Sequence, residues 1–86
     1  MVRLMSPHEH GQAAVRHIEE AVGGALREAA RGPERTLTRA EVGRRIGIPD
    51  TEKACQWITS WALYRLQADG KAKQLGPRRG WEWIGS

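Results

Sequence analysis

Eighty-six residues allow one domain that buries about 60–65% of the surface its unfolded chain exposes, with no space for a second lobe and a deep cleft between. At 40% hydrophobic and 28% charged the chain is expected to fold rather than stay disordered, and no run reaches the ~18–20 apolar residues that cross a bilayer. The net charge of +4 is unevenly placed: five basic and five acidic side chains cancel over residues 1–38, whereas nine basic face five acidic over 39–86. That surplus predicts a polyanionic partner for the C-terminal half.

Residues 1–5 are expected to be flexible, and the first helix is expected over 6–31. Ser6-Pro7-His8-Glu9 opens it: serine caps, proline suits the first helical position, and the glutamate three residues on completes a capping box. Ala14, Ile18, Ala21, Val22, Ala25, Leu26 and Ala29 then recur at helical spacing as one apolar stripe. Gly23-Gly24 interrupts that stripe, which predicts either a kink or the close approach of another helix. Gly32-Pro33 ends it. A second capping box, Thr38-Arg39-Ala40-Glu41, starts a short helix over 38–47, and Gly47-Ile48-Pro49-Asp50 reads as a tight turn.

A third helix is expected over 50–68, starting near Asp50 or Thr51 and stopping before Asp69-Gly70. Wound at ~100° per residue, Cys55, Ile58, Ala62 and Leu66 fall on one side, widened by Ala54 and Trp61. Lys53, Gln56, Ser60, Tyr64 and Gln67 fall opposite. Residues 71–84 read as a two-stranded hairpin around Gly76-Pro77-Arg78-Arg79-Gly80. The expected fold is mainly α with a small β-hairpin, three helices and then two strands, in a single domain over 1–86.

Every aromatic ring lies in the last thirty residues: Trp57, Trp61, Tyr64, Trp81 and Trp83. Trp83 is expected in the core under the hairpin and Trp61 beside the first helix, while Trp57 and Trp81 are expected at the surface, where an indole can stack on a base or mark an interface. Cys55 is expected to be a reduced structural thiol. His8, His10 and His17 lack the spacing of a metal site, so no metal and no cofactor are expected. No nucleophile motif, acid–base pair or phosphate loop stands out, which predicts a binding protein and not an enzyme.

The stretch Leu37-Thr38-Arg39-Ala40-Glu41-Val42-Gly43-Arg44-Arg45-Ile46-Gly47-Ile48 resembles the second helix and turn of winged helix-turn-helix proteins. Leu63-Tyr64-Arg65-Leu66-Gln67-Ala68-Asp69-Gly70-Lys71 resembles the end of their recognition helix, and Gly76 to Trp83 resembles the wing. The resemblance covers residues 37–84, and Ser6–Arg31 fits the family's first helix. It implies double-stranded DNA as partner, with the third helix in a major groove about 12 Å wide and the wing on the backbone. On that reading the contacts come from Lys53, Gln56, Trp57, Ser60 and Tyr64 on the third helix, and from Lys71, Lys73, Arg78, Arg79 and Trp81 on the hairpin. Arg39, Arg44 and Arg45 on the short helix add to them.

Tyr64 followed by Trp81 after a proline-containing loop also resembles the Z-DNA-binding winged helix, in which a helix tyrosine is braced by a wing tryptophan. Ser60 stands where that family has asparagine, and the third helix is several residues longer. The expected role is a small transcription regulator or DNA-targeting module, cytoplasmic and, in a bacterium, nucleoid-associated; Met1–His10 shows no apolar stretch of a secretory signal. A homodimer through the first helix or Trp57, or membership of a larger complex, stays open. The competing expectation is a winged helix that binds protein through exposed tryptophans.

Overall fold

A computed structural model describes residues 4–48, 50–76 and 78–85; Met1–Arg3, expected to be flexible, and the turn prolines Pro49 and Pro77 lie outside the described residues. Ser6 opens α1 (Pro7–Arg31) with the expected capping box: its hydroxyl accepts from the Glu9 N–H at 3.1 Å, and the Glu9 carboxylate accepts from the Ser6 N–H at 3.2 Å. The helix runs unbroken through Gly23-Gly24. A Cβ added at Gly23 would lie 3.4 Å from the Trp83 ring and 4.0 Å from Leu66 of the third helix, so an indole from a strand and a helix residue both approach here.

Buried residues of α1 are confined to its second half, Val22, Gly23, Ala25, Leu26 and Ala29. The expected stripe reaches further back, yet Ala14 and Ala21 are exposed and Ile18 is half-buried. At ~1.5 Å rise per residue the 25-residue helix spans about 37 Å, longer than the elements packed against it can cover.

The second capping box also forms. The Thr38 hydroxyl accepts from the Glu41 N–H at 3.2 Å and the Glu41 carboxylate accepts from the Thr38 N–H at 3.0 Å, opening α2 (Arg39–Arg45). Leu37 before the cap and Val42 four residues after it are both fully buried in one cluster, the placement of a hydrophobic staple that fixes how the chain enters α2.

Helix α3 (Lys53–Ala68) starts later than expected. Asp50 does not cap it, because the Asp50 carboxylate accepts from Arg39 Nη1 at 2.5 Å and its carbonyl from Gln56 Nε2 at 2.6 Å. The buried face is also turned by about 70° from the expected one, at ~100° per residue: Thr59, Ala62, Leu63 and Leu66 are buried, while Ala54, Ile58 and Trp61 are exposed. Thr59 can occupy the core because its hydroxyl donates to the Cys55 carbonyl at 3.1 Å within the same helix.

The sheet holds one strand more than expected. Besides β2 (Ala72–Gln74) and β3 (Trp81–Trp83), the two residues of β1 (Thr36–Leu37) pair antiparallel with β3, giving the order β1-β3-β2. Leu37 stands opposite Trp81 and Thr36 opposite Glu82; on the other edge Lys73 faces Glu82 and Gln74 faces Trp81. The fold is therefore mainly helical with a small three-stranded antiparallel sheet. Its core joins Val22, Leu26 and Ala29 of α1 to Leu37, Val42, Leu63, Leu66, Ala72 and Trp81.

Candidate nucleic-acid interface

Rotation of α3 about its axis decides which side chains it presents. With Thr59, Leu63 and Leu66 turned inward, Lys53, Trp57 and Tyr64 stand on the outward side, and Gln56 and Ser60 lie half-buried along its margin. Tyr64 is 54% exposed, and its ring meets the Trp81 ring edge-on, with centroids 5.3 Å apart and planes at 84°. That contact couples the polar side of α3 to the base of the hairpin.

Trp81 does not occupy the surface position expected of it. It is 4% exposed, held at the β1–β3 crossing opposite Leu37 and covered by Tyr64. Its part in any interface is to brace Tyr64. Trp83 packs against the core as expected, with the Arg27 guanidinium 5.2 Å above its ring.

The cations separate into groups. Arg78 and Arg79 are exposed at the hairpin loop, and Arg78 takes φ 79°, a left-handed conformation unusual for a side chain this large. Arg39 and Arg78 line one hollow of about 160 Å³ between the start of α2 and the hairpin, with Thr38, Gln74 and Trp81. Arg44 is exposed on α2, whereas Arg45 is tied to the Glu34 carboxylate and Arg39 to Asp50. Lys73 stands across the strand pair from Glu82, which offsets its charge. Lys71 is brought beside Arg16, Glu19, Glu20 and Trp83 in a separate hollow of about 300 Å³. Of the thirteen residues expected to form one interface, Tyr64, Arg39 and Arg78 meet around Trp81, Lys53 stands exposed at the far end of α3, Arg79 is exposed in the hairpin loop, and Lys71 lies in a separate hollow.

Among the described residues, Glu41 has its acidity shifted. The Thr38 N–H bonded to its carboxylate, then the Thr38 hydroxyl, hold its pKa below the ordinary 4.5, with Arg44 and Arg45 adding to the effect against partial desolvation. This is a property of the helix cap, not a sign of catalysis. Among the described residues no three His, Cys, Asp or Glu side chains gather as a metal site would require, and no helix is long and apolar enough to cross a membrane.

One surface goes beyond what the sequence located, which left open only a contact through the first helix or Trp57. Val15 and Ile18 of α1 with Trp57, Ile58 and Trp61 of α3 line an open apolar hollow of about 370 Å³. The sequence carried a sign of it in the apolar arc of α3, too wide for one small core. Compared with protein-family models, with curated proteins and with solved structures, the chain matches none.

Proposed function

We propose that the protein is a winged helix-turn-helix module that binds double-stranded DNA and is not an enzyme. In this reading α3 enters the major groove and the hairpin is a wing that lies along the backbone. The observation that supports it is the edge-on contact of Tyr64 with Trp81, which sets the C-terminal half of α3 beside the base of the hairpin. Lys53 on α3, Arg44 on α2 and Arg78 and Arg79 in the hairpin loop are exposed cations available to a duplex, with Arg39 beside Arg78. The Tyr64 hydroxyl and Ser60 suit phosphate or sugar contacts, and Gln56 suits a base edge once it leaves the Asp50 carbonyl.

Four phosphate contacts give a slope of log K against log salt of about −3.6, from ~0.9 per phosphate. A titration with random-sequence duplex at several salt concentrations measures that slope. Arg78→Ala with Arg79→Ala should flatten it by about 1.8 and weaken binding to all sequences alike. Salt-independent binding, or none at low ionic strength, would overturn the DNA reading and favour a module that binds protein.

The same Tyr64–Trp81 geometry favours a second reading, in which the duplex recognised is left-handed. It is the brace expected of the Z-DNA-binding winged helix, although Ser60 replaces the asparagine of that family. Inversion of the circular dichroism of an alternating CG duplex on addition of protein, lost in Tyr64→Ala, supports this reading. An unchanged spectrum at saturating protein excludes it.

A further inference from the structure

The open half of α1 and the hollow beside it form one apolar face, bordered at Trp61 by the ion-paired Arg65 and Glu19. Trp57 is 72% exposed, Trp61 39% and Ile58 37%, and all three stand next to Val15 and Ile18. On α1 the fully buried residues begin at Val22; before it Val15 and Ile18 are only half-buried, although Ile18 packs on the core. Most helix stability in proteins comes from packing of an apolar face, and here about four turns carry an apolar stripe that the rest of the chain covers only in part.

We propose that this face is the two-fold interface of a homodimer. Exposed Ala14 and Ala21 share one side of α1 with half-buried Ile18, at i, i+4 and i+7, and Ile18 is itself a wall of the hollow, so this ridge adjoins it. A two-fold axis between them seats the ridge of each copy in the hollow of the other, the self-complementary arrangement that a closed dimer requires. No such reciprocity is available to an unrelated partner without a matching ridge of its own.

Charge and area agree with this occupant. At ~100° per residue, Glu9, Arg16 and Glu20 of α1 wind to the side away from the ridge, residues 54–61 of α3 contain no charged side chain, and the charges at the border, Arg65 beside Trp61 and Glu19, neutralise each other at 2.8 Å. Interface centres are depleted of charge in this way, and a nucleic acid would need the opposite. Scaled to about 250 Å² for a whole tryptophan, the two exposed indoles leave ~280 Å² open in each copy. Both copies together reach roughly half of the ~1,200 Å² that specific interfaces bury at their lower limit, before α1 and Ile58 are counted.

Sedimentation equilibrium of the full chain at about 1 and 100 μM brackets dissociation constants near 10 μM. The expected result is a dimer mass at the higher concentration. Trp57→Glu and Ala14→Glu alter exposed residues and so should keep the helical circular dichroism, while each weakens association at least ~100-fold by placing a charge in an apolar contact. A wild-type monomer at 100 μM overturns the proposal, as does a dimer that persists in both variants.

Discussion

Replacing Gly80 by alanine tests how the hairpin is docked onto the rest of the fold, and Gly70→Ala is its control. Both glycines adopt left-handed backbone, φ 84° at Gly80 and 74° at Gly70, so alanine costs about 1–2 kcal/mol at either through the conformation alone. The loss of chain entropy in the unfolded state offsets part of that equally in both. Their surroundings differ. A Cβ at Gly70 meets no atom within 4 Å, whereas at Gly80 it would lie 2.6 Å from the Leu37 carbonyl oxygen, 2.7 Å from the carbonyl carbon and 3.0 Å from the Thr38 nitrogen. These are backbone atoms of β1 and of the cap of α2, so neither side can swing away. Relief requires β3 to part from β1, which exposes Leu37 and Trp81 and disturbs the Leu75 N–H to Gly80 carbonyl bond of 3.0 Å. Gly70→Ala should cost about 1 kcal/mol, or ~4–8 °C in Tm for a chain of this size. Gly80→Ala should cost at least ~2 kcal/mol more, read by urea unfolding followed by tryptophan fluorescence. Equal losses within about 0.5 kcal/mol would refute the docking described, because the two variants differ only in that collision.

Leu63→Ala should cost about 2–5 kcal/mol because Leu63 is fully buried, and Ile58→Ala under ~1 kcal/mol because it is more than a third exposed; the reverse order in chemical denaturation would place the buried face of α3 where the sequence suggested. Arg78→Gly relieves a left-handed side-chain position, so it should leave thermal stability unchanged or raised by up to ~1 kcal/mol while weakening duplex binding; full binding would remove Arg78 from the interface. Since the Glu41 pKa is depressed in the fold, its stabilising contribution is complete above the unfolded carboxylate range and is lost as pH falls below about 4.5 through the folded value. Glu41→Gln should therefore be less stable than wild type at pH 7 and lose less stability between pH 5 and pH 3; parallel acid profiles in urea titrations would exclude this role.

What was legible in the sequence was local. Ser6–Glu9 and Thr38–Glu41 bond three residues apart, so both helix starts followed from residue types alone. Leu37 could not be read as a strand, because two residues carry no alternation and its partner Trp81 lies 44 positions along the chain. The start of α3 was misplaced because the Asp50 carboxylate is taken by Arg39, a contact that needs α2 already in position. The face of α3 was misjudged by treating apolar character as burial: Thr59 is inside because its own helix satisfies its hydroxyl, and Trp61 is outside with the Arg65 guanidinium 5.4 Å from its ring. Trp81 was assigned to an edge because β1, which covers that side of β3, was not foreseen.

Trp57 links the two proposed surfaces and allows only one of them to use it fully. It stands on α3 between the outward side that carries Lys53 and Tyr64 and the apolar hollow beside α1. An indole buried against a second copy is withdrawn from the duplex, so base readout by α3 would pass to Gln56 and Ser60. Pairing also doubles the cations delivered to one DNA, from about four to about eight, which steepens the expected salt slope from ~−3.6 to ~−7. A monomeric Trp57→Ala variant, which removes the indole without adding charge, should then bind more weakly and with the shallower slope, even though residue 57 touches no phosphate. If instead Trp57 stacks on DNA, its loss lowers affinity and leaves the slope unchanged, because an uncharged ring releases no counterions. The slope therefore separates a dimer contact from a DNA contact at the one residue where both are sterically open.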